Sequence, residues 1–269
     1  VFGDARVFGD AWVSENARVS GNARVYGDAR VSENARVSEN AWVSGNAWVF
    51  GDARVFGDAW VSENARVSGN ARVYGYARVW GDAIVCGDAR VFGNAQVSGD
   101  ARVYGDARVF GNAQVSGDAR VYGDAKVYGD AKVCGYAQVY GDAEVYGDAR
   151  VFGDARVSGD ARVSENARVS GNAWVFGDAK VFGDAQVYGN ADIFLIKLSS
   201  RFLTFCKDKK MGISVTVGCR KAISLEEFKK RIFEDGGYTE KNLPKHRREY
   251  LKAIELVEEF MQIEKKEGE

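Results

Sequence analysis

The chain has 269 residues with one Pro, one His, four Cys and three Thr against 32 Gly, and its formal charge is −1. Such a composition is foreign to ordinary single-domain enzymes, has too few cysteines for a disulfide scaffold, and lacks the basic excess of a nucleic-acid binder. The longest aliphatic-aromatic run, Ile193 to Ile196, is far too short to span a membrane.

Residues 1–192 divide without insertion or deletion into 32 hexapeptides: Val, then Phe, Tyr or Ser, then Gly or Glu, then Asp or Asn, then Ala, then usually Arg. In Ala23-Arg24-Val25-Tyr26, Ala and Val share one side of an extended segment and Arg and Tyr the other. Gly27 and Asp28 then supply residue types that accept turn conformations. Each hexad is therefore a short strand plus a corner. Such a strand buries nothing by itself, so the units must stack. Three hexads per turn give 18-residue coils around a Val and Ala core, and about eleven coils make a rod of roughly 50 Å at the usual strand spacing. Burying each Val contributes about 1.5 to 3 kcal/mol before chain entropy is counted.

This pattern, an aliphatic residue followed four places later by a small one in every unit, resembles the bacterial hexapeptide-repeat superfamily over residues 1–192. The resemblance implies an all-β solenoid, a left-handed parallel β-helix, and the handedness comes from the resemblance alone. In similar enzymes the residue after the aliphatic is commonly Gly or acidic; here it is mostly Phe, Tyr or Ser.

At Asp192 the period stops. Ile193 to Lys207 and Ile213 to Cys219 alternate like two strands around Asp208 to Gly212, predicting a hairpin. Ser224-Leu225-Glu226-Glu227 is a capping-box pattern, followed by Leu225, Phe228 and Ile232 at helical spacing, with Gly236 and Gly237 as the stop. A second helix is expected after Pro244, with Leu251, Ile254, Val257 and Met261 on its apolar side. Residues 193–269 thus read as a ββαα module capping the last coil, which would otherwise expose strand edges. The module resembles one found behind similar repeats in bacterial and prophage-borne proteins, at Gly218-Cys219, Leu225 to Phe228 and Arg248-Glu249-Tyr250. Some such proteins carry acetyltransferase or polymer-forming cytoskeletal labels.

The superfamily resemblance implies acyltransferase or carbonic anhydrase chemistry, which rests on histidines. The repeats contain none, and the single His246 stands in Pro244-Lys245-His246-Arg247-Arg248, the start of a solvated helix. Cys86 and Cys134 fall on different faces, and Cys206 with Cys219 lacks two further ligands for zinc. No catalytic residue, cofactor or metal is expected; calcium and ice binding also lack their motifs.

Outward residues stack every 18 positions. One column reads Arg18, Arg36, Arg54, Arg72, Arg90, Arg108, Lys126, Glu144, Arg162, Lys180, beside Asp88, Asp106, Asp124, Asp142, Asp160 and Asp178. Interleaving offsets like-charge repulsion, and with 20 basic against 25 acidic side chains in the repeats nucleic-acid binding is not expected. A second column stacks Phe56, Tyr74, Phe92, Phe110, Tyr128 and Tyr146, with Trp42 and Trp60 placed beside its start. Self-stacking of neighbouring strands explains much of it. As an exposed stripe it is also the candidate interaction face, for lateral contact with another chain or for glycan stacking.

Residues 1–27 are identical to 49–75, an offset of eight hexads that moves every side chain to another face, whereas 91–108 recur at 109–126 with the single change Arg108 to Lys126. A rod tolerating both is adjustable in length. The expectation is a noncatalytic spacer, scaffold or self-associating element, with a degenerate acyltransferase and an aromatic-face binding module as alternatives. Homo-association, lateral or end to end through an open first coil, is the expected partnership. A cytoplasmic location is expected; the sequence opens on Val1, inside the repeat and without a start Met, so its N-terminus is expected to be incomplete.

Overall fold

The computed structural model describes residues 1–189, 192–198, 202–208, 211–217, 222–234 and 243–260. The first 31 strands, β1 (Arg6–Val7) to β31 (Gln186–Val187), are each two residues long. They form three parallel sheets of eleven, ten and ten strands, in which every third strand pairs. The register is 18 residues, as in Arg54↔Arg72 and Val55↔Val73. Two or three backbone bonds per hexad along most of the rod tie one coil to the next: Arg54 N–H donates to Ala71 O (2.9 Å) and Phe56 N–H to Val73 O (3.0 Å), and in some hexads a corner N–H adds a third, as Asn94 N–H to Gly111 O (2.8 Å). Val and Ala from all three sheets meet in one core, and from Val19 to Val187 they are fully or almost fully buried. The fold is a parallel β-solenoid with the expected coil length.

The corners explain the third hexad position. From Gly3 to Gly183 its residue takes φ of 58 to 73°, a region glycine enters without strain. At Gly87 (φ +71°) an added Cβ would lie 2.9 Å from Gly105 N of the next coil. Five corners nonetheless carry Glu, always within Ser-Glu-Asn, and Glu63 (φ 59°) accepts a hydrogen bond from Gly81 N–H one coil on (2.9 Å). At the fourth position Asn side chains run ladders that end on an acceptor: Asn94 donates to Asn112 (3.1 Å), which donates to Asp130 (3.0 Å). The amide both gives and accepts, whereas the carboxylate only accepts.

The tail departs from the expected ββαα. The run expected as one strand is two, β32 (Ile193–Lys197) and β33 (Phe202–Asp208), paired antiparallel, and β34 (Gly212–Val217) and β35 (Ile223–Ser224) complete a sheet in that order. Two helices follow, α1 (Leu225–Glu234) and α2 (Lys245–Phe260). Ser224 Oγ accepts from Glu227 N–H (3.1 Å), so the capping residue acts as its pattern predicts. Leu225, Phe228 and Ile232 are buried on α1, and Ala253, Ile254 and Val257 on α2. Gly218, Cys219, Gly236, Gly237 and Met261, singled out by pattern, lie outside the described residues.

Strand β33 joins the two parts. Cys206 belongs to the Val and Ala core, Lys180 N–H donates to Thr204 Oγ1 (3.0 Å), and Ala185 bridges Asp208. Asp192 accepts from the backbone N–H groups of Tyr188 and Gly189 and pairs with Lys207. Burial works against its charge, but these partners hold its carboxyl below the usual value. The alternate residues Leu203 and Phe205 point the other way and pack with Val215, Phe228, Ile232 and Val257 in a second core. No helix among the described residues is long and apolar enough to cross a membrane.

Candidate interaction face

Sequence positions six and two of the hexad flank a buried Val, so both point outward on the same face. Their side chains touch across coils at a separation of 16 residues: Tyr26 meets Trp42 edge-on (6.0 Å), and Trp48 Nε1–H donates to Ser32 Oγ (3.2 Å). Each face therefore carries two columns, one of position-six residues and one of position-two residues.

The column from Phe56 to Tyr146 exists as expected. Its rings stack at 4.8 to 5.0 Å between centroids and within 4° of parallel. Each ring is half-buried, so the stripe is less exposed than its composition suggests. The spacing is that of the coils, and a ring inside the column has both faces covered by its neighbours. A sugar ring or planar ligand would find only edges along most of its length. Trp42 and Trp60 do not join this face. They sit on strands of the eleven-stranded sheet, whereas Phe56 follows a strand of another sheet, with Gly57, Asp58 and Ala59 turning the chain between. The two tryptophans stack on each other (4.8 Å), with Arg24 over one (4.9 Å) and Arg78 over the other (5.3 Å). That sandwich occupies their faces as well.

A second ladder, Tyr104, Tyr122 and Tyr140, stands on the third face at 4.9 Å steps. Its three rings recur at intervals of 18 in the sequence, in a column shorter than the one from Phe56 to Tyr146. The basic column beside Phe56 is broken by Glu144, which pairs with Lys126 (3.0 Å) and approaches Arg162 (3.8 Å). Burial, the Glu144 carboxylate and Tyr146 push the Tyr128 hydroxyl up to about 12. Five acids and three bases, Asp106, Arg108, Asp124, Lys126, Asp142, Glu144, Asp160 and Arg162, line a groove of about 360 Å³.

Cys86 and Cys134 are free, half-buried and on different faces, and burial raises both thiols; Cys206 is buried and raised further. His246 is exposed at the start of α2, its ring edge-on to Tyr250 (6.1 Å). Among the described residues no group of three or more His, Cys, Asp or Glu is placed to hold a metal ion.

Stacked hexads, a Val and Ala core and three laddered faces define a hexapeptide-repeat parallel β-solenoid. The family model described as YdcK beta solenoid repeat matches eleven stretches, most of them overlapping, which together cover residues 17–45, 65–81, 83–129 and 143–177, so these stretches are similar to repeats of that type. No curated protein matches the chain. Among solved structures, a UDP-N-acetylglucosamine acyltransferase of Francisella novicida is 13% identical with a TM-score of 0.33, covering 93% of this chain and 88% of that one. The Arabidopsis enzyme of that name is 9% identical (TM-score 0.27, 95% and 92% covered). The one from Campylobacter jejuni is 15% identical (TM-score 0.25, 96% and 95% covered). Likeness at this level carries no inference about chemistry.

Proposed function

We propose that the chain is a noncatalytic structural or interaction rod, a spacer or scaffold whose length is set by its number of coils. The observation that carries this reading is the unbroken register: the coil pairings run from Arg6↔Arg24 to Arg168↔Gln186 with no loop inserted between hexads. An active site assembled on such a rod needs a departure from the repeat that gathers unlike side chains. The outward columns instead repeat a few residue types, and the one imidazole of the chain stands on α2.

The test is turnover of acetyl-CoA and a longer acyl-CoA by the full chain, with sugar and amine acceptors and His246→Ala alongside. The rod reading expects no thiol release above a protein-free control for either protein. Turnover by the native chain that His246→Ala removes would contradict it and favour a degenerate acyltransferase.

A further inference from the structure

Most aromatic rings at the second hexad position have another ring within two coils of the same column; Phe2, Phe50 and Trp80 do not, and Phe50 packs instead against Trp48 (4.6 Å). Where a single serine stands between rings one coil below and one above, it is buried. Ser158 lies between Tyr140 and Phe176, Ser164 between Tyr146 and Phe182, and Ser170 between Phe152 and Tyr188, and these serines are only 6%, 3% and 3% exposed. Where rings occupy successive coils they cover each other. Trp80 follows β13 (Arg78–Val79), and its column reads Ser44, Ser62, Trp80, Ser98, Ser116. Two serines stand on each side, all four keep some exposure, and no ring stacks on Trp80 among the described residues. Its indole is half-buried, as the ladder rings are, and differs from them in having no stacked neighbour.

The surroundings are hydrogen-bonding groups rather than more apolar surface. Gln96, 16 residues on, takes the lateral position that Gln138 takes beside Tyr122, where the phenol donates to the amide oxygen at 3.4 Å. Arg78 lies on the same face, reaching back over Trp60, and Asp82 stands at the adjoining corner, accepting from Asn64 (3.1 Å). Arg78 and Asp82, each two residues from Trp80 in sequence, bring one cation and one anion to its neighbourhood. A cationic ligand drawn to the ring would meet Arg78, and an anionic one would meet Asp82. A neutral ligand with C–H groups on one side and hydroxyls around its rim satisfies both. Its C–H groups pack on the electron-rich ring face, and its hydroxyls exchange hydrogen bonds with amide, hydroxyl, guanidinium and carboxylate.

From this arrangement we infer that the surface centred on Trp80 binds neutral carbohydrate, with the indole as platform and Ser62, Ser98, Arg78, Gln96 and Asp82 as polar rim. Repetition of serines above and below Trp80 leaves room for a chain of sugars running along the rod. The long ladders, whose ring faces are filled, do not share this property.

The test is electrophoresis of the full chain through native gels containing hydroxyethyl cellulose, mixed-linkage β-glucan, galactomannan or dextran, each compared with a gel lacking polysaccharide. Two variants run beside it: Trp80→Ser, which installs the residue already present at the neighbouring positions of that column, and Phe110→Ser in the stacked ladder. Far-UV circular dichroism confirms that both retain the fold. The expected result is retardation of the native chain in at least one polysaccharide, loss of that retardation in Trp80→Ser, and its retention in Phe110→Ser. Migration of the native chain unchanged by all four polymers would overturn the inference. So would equal retardation of Trp80→Ser, or loss in Phe110→Ser to the same degree.

Discussion

The rod and the C-terminal module hold themselves together in opposite ways. In the rod every strand is two residues long, every core side chain is Val or Ala, and partners lie 18 residues apart. In the module the strands reach seven residues, and the core uses Leu203, Phe205, Phe228, Ile232 and Val257, drawn from elements dozens of residues apart. Neighbouring coils supply almost everything the rod needs, so its stability sums over units. The module depends on one set of unlike side chains meeting once. A repeated local rule gives extension, and a single nonrepeating sheet gives it an end. Even the junction reflects this: Thr204 and Cys206 face the last coil while Leu203 and Phe205 face the helices.

Substitutions that violate the coil rule should cost most. Val109→Asp places a carboxylate in the dry core, where nothing pairs with it, and should destabilise the rod by about 4 kcal/mol or more, read from chemical denaturation. A smaller loss, about 3 kcal/mol, is expected for Gly87→Val. A branched side chain there meets both the positive φ and the backbone of the next coil, whereas Gly87→Glu should cost less because five corners already carry Glu. At the junction, Thr204→Val removes the acceptor of the Lys180 N–H while keeping the shape. A loss of about 1 to 2 kcal/mol that leaves the rod's own transition unchanged would separate the two regions.

The smallest expected effect is electrostatic. Tyr128 holds its proton up to about 12 against an ordinary 10, from burial first and the Glu144 carboxylate second. The folded chain binds this proton more tightly than the unfolded chain. The associated stability is therefore present below about pH 10 and is lost as pH rises toward 12. Glu144→Gln should bring the Tyr128 ionisation down in an ultraviolet titration, and thermal stability at neutral pH should change little, since the pairs with Lys126 and Arg162 are partly exposed.

The rod was legible because one rule, read six residues at a time, fixes strand, corner and core at once. Coil length followed from closing three strands around Val and Ala. The module was legible only in part. Ser224 and the spacing of Leu225, Phe228 and Ile232 gave α1, since capping and helical periodicity are local. The reversal between β32 and β33 was missed because the alternation of Ile193 to Lys197 continues with the same period of two in Phe202 to Asp208. Periodicity identifies a strand without saying where the chain turns back. On the faces, columns were legible and ring contacts were not. That Trp42 and Trp60 belong to a different sheet from Phe56 follows from counting in eighteens, but their pairing with Arg24 and Arg78 depends on side-chain direction. Trp80 is not marked out by its own hexad; its distinction lies in the serines around it.

The 18-residue register itself can be tested with the cysteines the chain already has. Ser68 stands one coil below Cys86 in the same column, and adjacent parallel strands bring such positions to about 4.8 Å, within reach of a disulfide. Ser62, only six residues earlier, belongs to another face. Mild oxidation of Ser68→Cys followed by peptide mapping should yield a cross-link to Cys86, while Ser62→Cys should yield none. Absence of the Ser68→Cys cross-link, or equal cross-linking from Ser62→Cys, would contradict the coil that this account rests on.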